Sequence, residues 1–334
     1  MMKIIVFIML SIAVLGAKVI TIASYNVENL FDLKTSGYEY SEYVPNSASH
    51  WNLKNYNIKL KHITKVIQDM NPDIIGLQEI ESRQAFKDLK HKLTRDGLYY
   101  KYSAFAYKKD TTVKVGLLSK YPIISTKELV VNYSYRYRNI LQVKIKIDNQ
   151  ILYLFVNHWK SKSGKENERI KSARVLYKEI KKVGFDHYII ALGDFNSNYN
   201  EYQTISKRNN NTHGKTGINN ILKTIYTQTN AQKAAHILCN TCLYNLWYDT
   251  IPDKRYSYIY KHKYDSIDNI IVNKKLLTSK VFHYKIRSMQ NFQRTYLFNG
   301  EYINRWQLSR QRPHMHLGKG YSDHLPVEAK FIIN

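Results

Sequence analysis

At 334 residues with 44% hydrophobic content, the chain is long enough to bury a large core and lacks the apolar depletion that marks a disordered protein. Its 51 Lys and Arg against 26 Asp and Glu leave a formal net charge of +25, which favours polyanionic partners such as nucleic acid, anionic lipid or acidic glycan, although a chain-wide bias towards Lys, Asn, Ile and Tyr explains the total equally well. The excess concentrates towards the C-terminal third, where residues 253–320 hold 14 Lys or Arg against Asp253, Asp265, Asp268 and Glu301.

Residues 1–17 read as an export signal: Lys3, an apolar stretch over 4–15, and Gly16-Ala17 as a small-residue cleavage site before Lys18. The stretch is short for a membrane span, and no other segment is long and apolar enough for one. The competing readings are an uncleaved anchor or an apolar strand running on into Val19-Ile20-Thr21-Ile22. With cleavage, residues 18–334 form the working chain, outside the cytoplasm and expected to be secreted or periplasmic.

Residues 19–25 read as a strand ending at Asn26. Residues 57–70 carry apolar positions at helical spacing, stopped by Asn71-Pro72, and 73–77 then read as a buried strand ending at Gln78-Glu79. Ser82 caps a helix bearing Phe86, Leu89 and Leu93. Residues 113–119, 140–147 and 151–156 read as strands, the last two joined as a hairpin at Asp148-Asn149-Gln150. Residues 166–183 form an amphipathic helix, 188–192 a strand ending at Gly193-Asp194-Phe195-Asn196, and 266–272 and 327–333 two more strands. Segments 197–256 and 285–319 are polar, aromatic and irregular, and are expected as long loops. The only cysteines, Cys239 and Cys242, lie in a polar stretch; with no fourth zinc ligand evident beyond His236, a small local disulfide is the expectation. The alternation predicts one domain of mostly antiparallel sheets covered by helices.

Polar residues collect where apolar strands end: Asn26, Glu79, Asn157-His158, Asp194-Phe195-Asn196, Asp268 and Asp323-His324. Strand ends along one sheet edge build a shared cleft on a rigid support. Two carboxylates from different strands can hold one Mg²⁺, and histidines with a further Asp supply proton traffic, an inventory suited to metal-assisted hydrolysis of a phosphate ester. Each residue alone has a plainer reading. Asn26 can close a turn, Glu79 can be an acid near a helix start, His158 beside Trp159 can pack in a core, and Asp194 and Asn196 after Gly form turns. Asp268, inside an apolar strand, is the hardest to explain away.

In this setting the chain resembles the endonuclease/exonuclease/phosphatase superfamily, through Ser24-Tyr25-Asn26-Val27-Glu28-Asn29-Leu30-Phe31-Asp32, Gly76-Leu77-Gln78-Glu79, Val156-Asn157-His158-Trp159-Lys160-Ser161, Gly193-Asp194-Phe195-Asn196, Ser266-Ile267-Asp268-Asn269-Ile270 and Ser322-Asp323-His324. The six motifs stand in the superfamily's order. The resemblance implies an α/β fold of the deoxyribonuclease I type, a four-layer sandwich of two central mixed β-sheets flanked by helices, with Mg²⁺-dependent phosphoester cleavage; Mn²⁺ or Ca²⁺ can substitute or assist. By the same resemblance Glu79 is the principal metal ligand, with Asn26 and Asp323 close to the ion. His324 pairs with Asp268, Asp194 orients or deprotonates the water, Asn196 steadies the phosphate, and His158 is a second proton-transfer histidine. Over residues 97–127 only Asp110 offers His158 a carboxylate. Arg138 resembles a phosphate-facing arginine at a strand start, and Lys160 and Arg169 are candidates for the same cleft.

The expected activity is that of an exported, weakly sequence-selective nuclease, a monomer acting on DNA by preference with RNA possible. Lys, Arg and aromatic residues of 285–319, among them Arg305, Trp306, Arg310 and Arg312, would hold the backbone and stack bases. The alternatives are a sphingomyelinase-like or other lipid or inositol phosphoesterase, for which no clean exposed apolar hairpin is evident, and a non-catalytic secreted DNA-binding protein.

Overall fold

The computed structural model describes residues 16–224 and 230–334; residues 1–15 of the expected export segment lie outside them. No helix among the described residues is long and apolar enough to cross a membrane. In chain order, β1 (Lys18–Leu30) leads through α1 (Leu53–Met70) to β2 (Ile74–Ile80) and α2 (Arg83–Arg95). Strands β3 (Tyr102–Phe105), β4 (Lys114–Ser119), β5 (Ile123–Leu129), β6 (Ile140–Ile147) and β7 (Gln150–His158) follow, then α3 (Glu166–Val183) and β8 (Tyr188–Asp194). The remainder comprises α4 (Glu201–Thr204), α5 (Ala231–Ile237), β9 (Leu243–Asn245), β10 (Tyr258–Tyr260), β11 (Lys263–Asp265), β12 (Asp268–Asn273) and α6 (Lys274–Thr278). Last come β13 (Phe282–Tyr284), β14 (Gln290–Asn291), β15 (Phe298–Asn299), β16 (Tyr302–Ile303) and β17 (Val327–Ile333).

One sheet runs β13-β17-β1-β2-β4-β3, with β14 also on β17; the other runs β5-β6-β7-β8-β12-β9. Every pairing is antiparallel except β1 with β2 and β7 with β8, one in the middle of each sheet. A parallel pair needs a long crossover, and α1 and α3 supply it. The mostly antiparallel expectation therefore holds, with two parallel pairs that make both sheets mixed.

Three apolar layers separate four layers of structure. Ile20 and Ile22 of β1, Val156 of β7 and Ile190 and Leu192 of β8 interlock between the sheets. The alternate residues Ala23 and Tyr25 pack with Ile63, Val66 and Ile67 of α1 and Leu89 of α2. Phe155, Ile189 and Ala191 meet Ala173, Leu176 and Ile180 of α3 on the opposite outer face. Strands buried on both faces read as continuous apolar runs, which is why 188–192 was legible. The strands absent from the sequence reading include the four sheet edges β3, β5, β9 and β13, of which β5 is mostly exposed. Helix α1 starts at Leu53 rather than residue 57, because Asn52 caps it by accepting from the Asn55 amide at 3.1 Å. The long irregular segments contain α4, α5, β9 and β14 to β16. The expected Cys239–Cys242 disulfide is formed.

The C-terminal loop before β17 departs from expectation. Trp306 is buried rather than free to stack bases. Its indole N–H donates to His316 Nδ1 at 2.8 Å, and His316 Nε2 donates to the Glu42 carbonyl at 2.8 Å. This chain of bonds pins the loop onto the β1–α1 connection and requires a neutral imidazole. Burial accordingly pushes the His316 pKa down to about 4.

Two tests follow from this packing. Gly193 sits at φ +132°, and an added Cβ would lie 2.1 Å from the Asn157 carbonyl of β7; Gly193→Ala should cost about 2–4 kcal/mol in urea unfolding, and a cost below ~0.5 kcal/mol would contradict the packing. The folded His316 binds its proton less readily than the unfolded one, so its contribution is complete above the unfolded value of 6.5 and declines as pH falls towards 4, by up to roughly 3 kcal/mol. Between pH 7 and pH 4.5 the wild type should lose more stability than His316→Asn; equal losses would overturn the assignment.

Candidate active site

The parallel strands β1, β2, β7 and β8 and the antiparallel β12 and β17 bring the predicted positions to one edge of the sandwich. Register places His158 and Asp268 on either side of Asp194, and Asn26 beside Gln78. Glu79 owes its aim to an irregularity. The β1–β2 ladder jumps from the Asn26–Gln78 pair to Leu30–Ile80, and the β2–β4 ladder jumps from Gln78–Val115 to Ile80–Lys114. Glu79 is thus left out of both ladders, with φ +65°, as in a bulge that turns a side chain out of the sheet. Glu28 and Asn29 opposite it are also left-handed, which points the Asn29 amide at Glu79 Oε2 at 3.1 Å.

The carboxylates are held by donors. Asn26 Nδ2 lies 3.2 Å from Glu79 Oε1, 3.2 Å from Asp194 Oδ2 and 3.5 Å from His324 Nε2. Asp194 Oδ1 accepts the Asn196 amide at 2.8 Å, and Oδ2 accepts Asn196 Nδ2 at 3.0 Å. Asp268 Oδ2 accepts His324 Nδ1 at 2.7 Å and the Ser257 hydroxyl at 2.6 Å. Ser322 donates to the Asn26 carbonyl at 2.6 Å and accepts from the His324 amide, tying the Ser322-Asp323-His324 turn to β1. The Tyr258 ring stands 5.0 Å from the His324 ring.

These contacts push the ionisable groups apart. Burial raises the Asp194 carboxyl to about 7, with Asp268 adding to the shift and His324 opposing it. Burial, then Asp323, raise Glu79 above the ordinary carboxylate value. For His324, burial acts downward, but Asp268, Asp323 and Asp194 outweigh it and hold the imidazole well above 6.5, so it carries its proton. Burial and Arg138 hold His158 well below 6.5. A neutral His158 accepts from Arg138 Nη2 at 2.9 Å through Nε2, which places its proton on Nδ1, where it has no partner.

The structure brings Asn26, Glu79, Arg138, His158, Asp194, Asn196, Asp268, Asp323 and His324 together, and changes what several of them do. The Asn196 amide is spent on the Trp159 carbonyl and Asp194, so it positions Asp194 instead of reaching for phosphate. Asn26 turns its amide, not its oxygen, towards the carboxylates, because its Oδ1 accepts the Glu28 amide. Asp323 stands between His324 Nε2 at 3.8 Å and Arg305 Nη2 at 3.6 Å. Arg169 does not line the cleft: fully buried, it pairs with Glu166 at 2.7 Å and donates to the carbonyls of Lys160, Ser161 and Gly164. Lys160 does face open space beside Arg138. Sequence reasoning missed Ser257, whose separation from Asp268 gives no local signal. It also missed the Glu28–Arg305 pair, in which burial, with Asp323, raises Glu28 to about 7 against the pull of Arg305.

Ligand atoms of Glu79, His158 and Asp194 lie within 4.8 Å of one another. Two carboxylates facing one gap, bonded to the Asn26, Asn29 and Asn196 amides and with neither in a close pair with a Lys or Arg among the described residues, fit a divalent cation. Oxygen donors suit a hard ion, and His158 Nε2 is already engaged by Arg138. Of the expected trio Asn26, Glu79 and Asp323, Glu79 belongs to this cluster and Asn26 Nδ2 bonds both of its carboxylates.

The model of the endonuclease/exonuclease/phosphatase family matches residues 21–332. No curated protein matches the chain by sequence. Among solved structures, D. rerio TDP2 in complex with a single-stranded DNA product is similar at 15% identity and a TM-score of 0.58, over 94% of this chain and 98% of that one. A family protein from Bacteroides thetaiotaomicron matches at 15% identity and 0.56, over 95% and 99% of the two chains. A mannosyl-6-phosphatase of the same organism matches at 15% and 0.56, over 93% and 99%. Likeness at this identity bears on the fold, the four-layer α/β sandwich. With a family model spanning nearly its whole length, the chain belongs to the endonuclease/exonuclease/phosphatase family.

Proposed function

We propose that this protein is a divalent-metal-dependent phosphodiesterase acting on nucleic acid, a weakly sequence-selective nuclease with Mg²⁺ as its natural ion. The observation that carries the reading is the buried Asp268–His324 pair set against the Glu79–Asp194 gap, with Arg138 at the rim. Asp268 keeps His324 protonated, so Nε2 can donate to a phosphoryl oxygen. Asp194, its orientation set by Asn196 and Asn26, is placed to take a proton from an attacking water. Arg138, whose Nε is buried without a partner, can offer its remaining donors to the phosphate. Glu79 and Asp194 are the residues that would hold a divalent cation, which would supply neutralisation of the charge on the phosphoryl group.

A nucleic-acid substrate is favoured by the net charge of +25 and by the hairpin β10–β11 beside His324, whose tip is Lys261-His262-Lys263. A lipid-directed enzyme would place an apolar tip there. The mannosyl-6-phosphatase neighbour keeps a phosphomonoesterase as the second reading. Export belongs to the proposal and rests on Lys3, the apolar 4–15 stretch and Gly16-Ala17.

Plasmid DNA, linear DNA, RNA, sphingomyelin and mannose 6-phosphate, each with Mg²⁺ or EDTA, separate these readings. DNA cleavage should vanish in EDTA and fall about 10²–10⁴-fold in His324→Ala; cleavage that survives either change sinks the mechanism, and turnover of the lipid or sugar phosphate alone replaces the substrate. Mass spectrometry of exported protein should find Lys18 at the N-terminus, whereas an intact Met1 in that fraction would remove signal cleavage from the proposal.

A further inference from the structure

A groove of about 820 Å³ opens beside Arg138 and leads away from the catalytic edge. Its walls carry Arg136, Arg138, Lys160, Lys165 and Lys171 against one acid, Glu168. Elsewhere lysines find carboxylates, as in Lys65–Asp69 and Lys127–Glu179. Among the described residues none of these five cations lies in an ion pair, so their charge is uncompensated where it faces open space.

Both walls are built rigidly by buried or nearly buried cations. On one side Lys108 donates to the carbonyls of Asn132, Ser134 and Tyr137, fixing the loop that presents Tyr135 and Arg136. On the other, buried Arg169 holds the carbonyls of Lys160, Ser161 and Gly164. Lys171 is steadied by the Tyr137 hydroxyl at 3.2 Å with its ammonium over that ring. Tyr135 is 64% exposed and Tyr40 41% exposed on the same walls, so two aromatic faces interleave with the cations.

From this arrangement we infer that the groove is a second, non-catalytic subsite that receives the phosphates and bases flanking the scissile bond of a single-stranded nucleic acid. Cations hold successive phosphates, and exposed rings accept base faces that a duplex keeps stacked within itself. Fixed walls limit the ordering cost of binding. The inference rests on the phosphodiesterase reading and adds to it a requirement for substrate on one side of the cleaved bond: oligonucleotides should be preferred over dinucleotides and over small diesters.

The test uses the full-length protein and the triple variant Arg136→Ala/Lys165→Ala/Lys171→Ala, which leaves Arg138 and Lys160 in place. Hydrolysis of bis(p-nitrophenyl) phosphate should stay within about twofold of wild type, while kcat/KM for a single-stranded 12-mer falls about 10–100-fold at low salt. Anisotropy of the labelled 12-mer in EDTA should show the salt dependence of log K weakened by about 2, roughly 0.7 for each lost phosphate contact. Equal loss on all substrates, unchanged oligonucleotide binding, or tighter binding of duplex than of single strand overturns the inference. A wild type that binds the 12-mer with the expected salt dependence but hydrolyses no diester refutes the phosphodiesterase reading alone.

Discussion

Mutual repulsion among buried and half-buried carboxylates is the constraint on which the functional edge depends. Glu79, Asp194, Asp268 and Asp323 converge from four different segments, and unpaired burial of such charges costs several kcal/mol each. The molecule meets this with neutral donors first: the Asn29 and Asn196 amides, the Asn26 side chain and the Ser257 hydroxyl. Two cations pair with these acids, His324 with Asp268 and Arg305 with Glu28 and Asp323, while Arg138 bonds His158 beside them. Neutral donors orient the acids without discharging them, leaving the Glu79–Asp194 gap attractive to a cation.

Part of the basic character has an internal use. Lys59 is buried and donates to the Tyr321 carbonyl, Lys108 reaches three carbonyls, Lys114 reaches the Glu81 carbonyl, and Arg169 three more. Long irregular connections leave backbone oxygens without ladder partners, and a long cationic side chain can satisfy several at once. These cations keep their charge but are not free to contact a substrate directly. What matters is where cations remain uncompensated, and the groove beside Arg138 is such a place.

The elements most legible in the sequence were those with the strongest burial pattern. Helix 166–183 and strands 140–147 and 327–333 have the bounds expected of them, because long amphipathic spacing in the helix and apolar residues alternating with polar ones in the strands leave little choice. Edge strands β3 and β5 escaped notice, since an exposed edge imposes no hydrophobic pattern. Among functional residues, the convergence of Asn26, Glu79, His158, Asp194, Asp268 and His324 was readable from polar residues at strand ends. The individual roles were not. Arg169 and Trp306 look like surface ligands in one dimension and are structural in three, because Glu166 and His316 claim them. Asn196 and Asn26 point where their second hydrogen bonds send them, which depends on Trp159 and Glu28.

The displacement of Glu79 from both of its neighbouring ladders separates two properties that buried strands ordinarily bind together. A residue inside a ladder contributes to the cohesion of its sheet, so altering it changes shape and chemistry at once. Glu79 hangs from a backbone whose bonds are made by Gln78 and Ile80. Its identity is a variable of the reaction and hardly one of the fold, so this position can drift between working and silent forms while the sandwich beneath it persists.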